Sequence, residues 1–262
     1  MTRELFHDAA VNGKARFHLI DLWHSVHLGV GKTWVASGVM MLQQLLPDTA
    51  VDRRVLLLGA DYKDFCRRMK MNAILRKVDL STFGTTSEPI GAWNKAAITS
   101  NFFLYLEDFC ERHHEEIQVD ERMRIFAAGT KRLNFFWRGV YSNDVLVESS
   151  LGASLASALY DFVKAYLWQA HAAYVRGLSH FALFPKLHAI HEVAHEMRRQ
   201  SKASAWIVNP AAHTCSLDED FIGRTAAVSR CVSPRAIPLR LLQRYLTHIQ
   251  IAWSRGYQGE ER

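Results

Sequence analysis

The sequence predicts a mainly α protein, and three observations carry that expectation. From Lys32 onward the apolar residues recur at three- and four-residue spacing in nearly every segment, so no complete five-stranded sheet is expected. Only one run, Ala15 to Trp23 (ARFHLIDLW), alternates as a β-strand does. The 262 residues, 49% apolar and 11% aromatic, are enough to bury a sizeable core.

Taken in order, the strand Ala15 to Trp23 leads into a helix from Lys32 to Leu46 that stops before Pro47. Val51 to Met69 reads as a second amphipathic helix. Arg76 to Ile90, with its Ser, Thr, Gly and Pro, reads as a loop. Trp93 to His113, Asp120 to Val140, Ser149 to Arg176 and Pro185 to Arg199 carry helical periodicity, the last opening on a proline that suits a first helical turn. The stretch SKASAWIVNPAAHTC (201–215) reads as a loop. Leu217 to Arg230 reads as a helix, and Ser233-Pro234 opens a final one to about Ser254.

No apolar run is long enough to span a membrane, and the charged start MTRELFHDAAVNGKARFHL does not read as a signal peptide, so an intracellular chain with no membrane partner is expected. Cys66, Cys110, Cys215 and Cys231 stand far apart without a CxxC pair. That spacing suggests buried free thiols rather than a disulfide framework or a cysteine zinc site. The net charge of +6, with basic clusters at Arg67-Arg68-Met69-Lys70 and Arg198-Arg199-Gln200-Ser201-Lys202, permits contact with nucleic-acid phosphates and equally a solvated basic face.

Three patterns bear on chemistry. Gly29-Val30-Gly31-Lys32-Thr33 resembles the end of a phosphate-binding loop, but Val26 stands where that loop needs its first glycine, so the segment reads as a tight connection into a helix. His191-Glu192-Val193-Ala194-His195 is an HExxH pattern. On a helix it places two imidazoles on one face, able to hold Zn2+ with Glu192 as base and Glu219 as a third ligand, which is the metallopeptidase alternative. Those histidines are also offset from the stripe Leu187, Ile190, Ala194, Met197, so a polar surface face explains them too. Finally, Asp21 at the end of the strand and Asp218-Glu219-Asp220 at a helix start are acids that two-metal phosphoryl transfer could use. The simpler reading makes Asp21 a cap and the others helix N-terminal acids.

The stretch Asp21-Leu22-Trp23-His24 followed by HLGVGK resembles the D-x-x-H segment of eukaryotic cut-and-paste transposases of the hAT and especially the Plavaka and KDZ-like type. PKLH (Pro185 to His188), TCSLDEDFIGRTAAVSR (Thr214 to Arg230) and RLLQRYL (Arg240 to Leu246) resemble that family's helix start, acid-bearing helix and closing helix. The resemblance implies a transposon-derived fragment of a DDE-type, RNase H-like core. Its catalytic residues would be Asp21, His24 and Glu219, with Asp21 and Glu219 as ligands of Mg2+ or Mn2+ and Asp218 and Asp220 as substitutes for the glutamate.

It further implies DNA as partner, a nuclear location, and a first catalytic aspartate supplied by an N-terminal region or another copy of the chain, since Asp8 lies on no convincing strand. The expected organisation is a strand-to-helix segment of the partial core over 1–35, a helical insertion-type domain over 36–205 and the acid-bearing and closing helices over 206–262. A non-catalytic helical binding protein is the remaining alternative.

Overall fold

A computed structural model describes residues 20–215 and, beyond them, 222–223, 226, 229–230, 234–236, 239–240, 242–247 and 250–251. It is mainly helical. The order is α1 (Leu22–Ser25), a π-helical segment (Val26–Val30), α2 (Gly31–Leu42) ending in a 3-10 turn (Gln43–Leu45), α3 (Val51–Arg68), α4 (Leu80–Phe83), α5 (Ala96–Arg112) and α6 (His114–Val119). Then follow α7 (Glu121–Tyr141), β1 (Leu146–Glu148), α8 (Ser149–Val175), α9 (Pro185–Ala203), β2 (Trp206–Val208) and a 3-10 turn (Pro210–His213). These elements lie in a first unit that ends at Thr214; a second begins at Cys215. In the second, the described residues Ile222, Gly223, Ala226, Ser229, Leu239, Arg240, Leu242 to Thr247, Gln250 and Ile251 are helical.

Helix α2 is the axis of the first unit. Every residue from Thr33 to Leu42 is buried, so it is apolar on all sides, as a helix enclosed by others must be. Trp34 sits at its centre. Its indole stacks on Phe126 of α7 at 4.8 Å and on Tyr166 of α8 at 5.7 Å, meets Phe162 and Phe181 edge-on, and donates Nε1–H to the Thr130 hydroxyl at 3.0 Å. One turn along, Gly38 lets α7 come close: a Cβ there would lie 2.1 Å from Phe126 Cζ. The Gly38→Ala variant is therefore expected to lose about 1–3 kcal/mol to overpacking, outweighing the roughly 1 kcal/mol that alanine gains in helix propensity. A thermal melt should show a lower midpoint, and an unchanged or higher one would refute the close approach.

Helix α8 packs along α7 on one side and α9 on the other. The α9 stripe behaves as its spacing predicts, with Leu187, Ile190, Ala194 and Met197 all buried. Between α5 and α7 the Asn134 amide donates to Phe103 O and to Glu107 Oε2, each at 2.8 Å, and Arg138 pairs with the same carboxylate. Cys66 and Cys110 are buried free thiols, as expected; Cys215, expected to be buried too, is only part-buried, and Cys231 lies outside the described residues. Among the described residues no helix is long and apolar enough to cross a membrane.

The structure departs from the sequence reading in several places. Leu22 and Trp23 are helical rather than the end of a strand, because Asp21 caps the chain there; residues 15–19 lie outside the described set. The supposed loop 201–215 contains β2, which pairs antiparallel with β1 in the register Leu146↔Val208, Val147↔Ile207, Glu148↔Trp206. Asn209 secures this ribbon by donating to the carbonyls of Val140, Asn143 and Asp144. The loop 76–90 holds the short helix α4, whose cap is Asp79.

Candidate functional site around Asp21

Asp21 adopts an extended backbone conformation (φ −72°, ψ 96°) and its carboxylate turns back onto the helix it precedes. Oδ1 accepts from the Trp23 amide at 3.0 Å and the His24 amide at 3.5 Å, which satisfies amide donors that a helix start leaves unpaired. Oδ2 bonds Nδ1 of His24, one turn on. The two side chains are 23% and 32% exposed, so solvent or a ligand can reach the pair. A carboxylate at Nδ1 fixes the ring and its tautomer and leaves Nε2 as the basic nitrogen.

After His24 the helix widens into the π-helical segment, broken by Gly29 at φ −126°, ψ −118°. Such a kink between two helices takes backbone carbonyls out of the regular ladder. Here other elements supply donors. Lys186 at the start of α9 reaches the carbonyls of His24 at 3.3 Å and Leu28 at 3.5 Å. Thr99 of α5 donates its hydroxyl to His27 O at 2.6 Å, while Trp93 donates to Thr99 Oγ1 at 2.8 Å. Gly29 and Gly31 are packing positions: a Cβ on Gly29 would meet the Lys186 stem at 2.6 Å, and one on Gly31 would lie 2.6 Å from Val26 O. The GVGKT stretch thus begins at a kink between two helices and runs into the second, rather than forming a strand-to-helix connection.

Beneath the pair lies an aromatic box. His27 is buried between Trp23, at 4.1 Å between ring centroids, and Trp137, at 4.5 Å. Burial pushes its pKa down to about 3, against a smaller raising effect from the Trp23 backbone and the Asp21 charge. His27 Nδ1 and Trp137 Nε1 find no hydrogen-bond partner among the described residues. Tyr141 stacks on Trp137 at 5.3 Å, and burial together with the Asp21 charge pushes its phenol up to about 12. Lys32 lies over the Trp93 ring at 5.8 Å, and burial and the nearby Lys186 ammonium both lower its pKa.

Of the residues singled out in the sequence, Asp21 and His24 meet as a hydrogen-bonded pair. Asp8, Asp218, Glu219 and Asp220 lie outside the described residues. His191, Glu192 and His195 stand on α9 as their spacing predicts; His191 is half-buried and the other two are exposed. The sequence reading missed His27, Trp137, Tyr141 and Lys186 as neighbours of the pair. Trp23 and His27, and likewise Trp137 and Tyr141, sit four apart and could have been read as stacked helical pairs, but nothing local joins α1 to α7 or α9. Comparison with protein-family models, with curated proteins and with solved structures finds no match to this chain.

Proposed function

We propose that the chain is a DNA-binding helical domain derived from a DDE-type transposase, and that it engages a phosphodiester backbone at the kinked helix start where Asp21 caps and His24 stands. The observation that carries this reading is the Asp21–His24 pair, part-exposed on a segment whose carbonyls, those of His24 and Leu28, are reached by the Lys186 ammonium. Lysine is a common partner of phosphate. In this reading Asp21 positions His24 as the base for an attacking hydroxyl, and Lys186 and Lys32 supply positive charge toward the phosphate.

The donor set around Asp21 does not by itself make a magnesium or manganese site. Its one carboxylate already accepts two amides and bonds an imidazole, whereas a hard cation wants several oxygens. A second carboxylate from Glu219 would be required. Strand cleavage would belong to an assembly with an N-terminal catalytic region or a second copy of the chain, in the nucleus. There, Asp21→Ala should abolish manganese-dependent nicking.

Binding can be tested on the chain itself by fluorescence anisotropy with a labelled duplex. Affinity should fall steeply from low to physiological salt, and Lys186→Ala should weaken binding to all sequences alike and lower the salt slope by about one unit. Absence of binding at low salt, or a Lys186→Ala variant that binds with unchanged slope, would refute the reading.

A further inference from the structure

Helix α9 buries its apolar stripe, and beside that stripe it presents His188, His191 and Glu192, spaced i, i+3 and i+4. One potential ligand atom from each lies within 4.8 Å of the others. His191 Nδ1 is 3.5 Å and His188 Nδ1 3.9 Å from the same oxygen, Glu192 Oε1. The two imidazoles are nearly parallel, 20° apart with centroids at 6.4 Å. Tyr160 of α8 meets the His191 ring edge-on at 5.2 Å, which restrains its orientation.

We propose that His188, His191 and Glu192 form a binding site for a borderline divalent transition metal of the zinc class, with a fourth position open to water or an added ligand. Bonds of about 2.0–2.2 Å to a tetrahedral ion put ligand atoms roughly 3.4 Å apart. The His191–Glu192 gap already matches, and the His188–Glu192 gap exceeds it by a few tenths of an ångström. The His188 side chain is 77% exposed and can close the site by rotation at little packing cost. Two imidazoles and one carboxylate select zinc, nickel or copper over magnesium or calcium, which prefer all-oxygen shells. The N-terminal end of a helix disfavours a cation, but His188 lies beyond the first three residues of α9 and the Glu192 carboxylate offsets that field.

This arrangement differs from the HExxH arrangement in its ligands. It uses His188 and the glutamate itself, and it leaves His195 out of the group. The test is isothermal titration of the full chain with zinc chloride, repeated with cobalt(II) as an absorption probe of tetrahedral geometry. The wild type should bind one equivalent at micromolar or lower concentration and give the visible bands of tetrahedral cobalt. His188→Ala and Glu192→Gln should each weaken binding at least tenfold with unchanged far-ultraviolet circular dichroism, and His195→Ala should bind as the wild type does. The proposal is overturned if the wild type binds no zinc, if His188→Ala binds as tightly as the wild type, or if His195→Ala loses the metal while His188→Ala keeps it.

Discussion

Replacing Trp34 by alanine is expected to cost about 3–5 kcal/mol, the range for deleting a fully buried large aromatic. Whole domains are typically stable by only about 5–15 kcal/mol, so this variant should be close to unfolding at physiological temperature. The indole is fully buried and joins α2 to α7 and α8 through Phe126, Phe162 and Tyr166, and to Phe181 in the chain before α9. Its loss removes the stacking and leaves a void that these rings cannot all move to fill. The Trp34→Phe variant keeps much of the ring but loses the bond to Thr130, and about 1–3 kcal/mol is expected from that change. Urea unfolding followed by circular dichroism measures both. A Trp34→Ala loss below about 1 kcal/mol would show that the aromatic centre is not what holds the helices together.

Lowering the pH should destabilise the fold through His27, and the sign follows from where the proton can bind. An unfolded His27 takes up a proton near pH 6.5, whereas the buried ring resists it down to about 3. Between those values the unfolded chain binds one proton more than the folded one, so stability is fully present above about 6.5 and falls as pH drops through the interval. At about 1.4 kcal/mol per pH unit, the loss from pH 7 to pH 5 is roughly 2 kcal/mol, and over the whole interval about 4–5 kcal/mol. The Trp23 and Trp137 rings on either side of His27 give the imidazolium no bulk water. Comparing urea unfolding at pH 7 and pH 5 for wild type and His27→Phe isolates this contribution. The variant should keep about 2 kcal/mol more of its stability across that step. Equal losses would mean that His27 does not titrate as its burial requires.

How much of the molecule was legible in the sequence depends on the range of the forces involved. The helices α3, α5, α7, α8 and α9 stand within a few residues of where periodicity and boundary residues put them, since their signals act over one or two turns. The buried stripe of α9 is local for the same reason: residues three or four apart on a helix share a face.

Short elements were not legible. The alternation in ARFHLIDLW looks like a strand, yet at Leu22 and Trp23 the Asp21 cap and the burial of Leu22 and Val26 against the core select a helix. The ribbon of β1 and β2 buries one residue from each strand, Val147 and Ile207, too few to leave a pattern. The surroundings of Asp21 belong to the tertiary structure alone. Lys186 and Thr99 bond carbonyls of the kinked segment, and Trp137, itself stacked on Tyr141, covers His27, from helices far away in the chain. The sequence by itself determined which residues share a helix face; packing decided which faces meet, because burying those faces together offsets the entropy of ordering the chain between them.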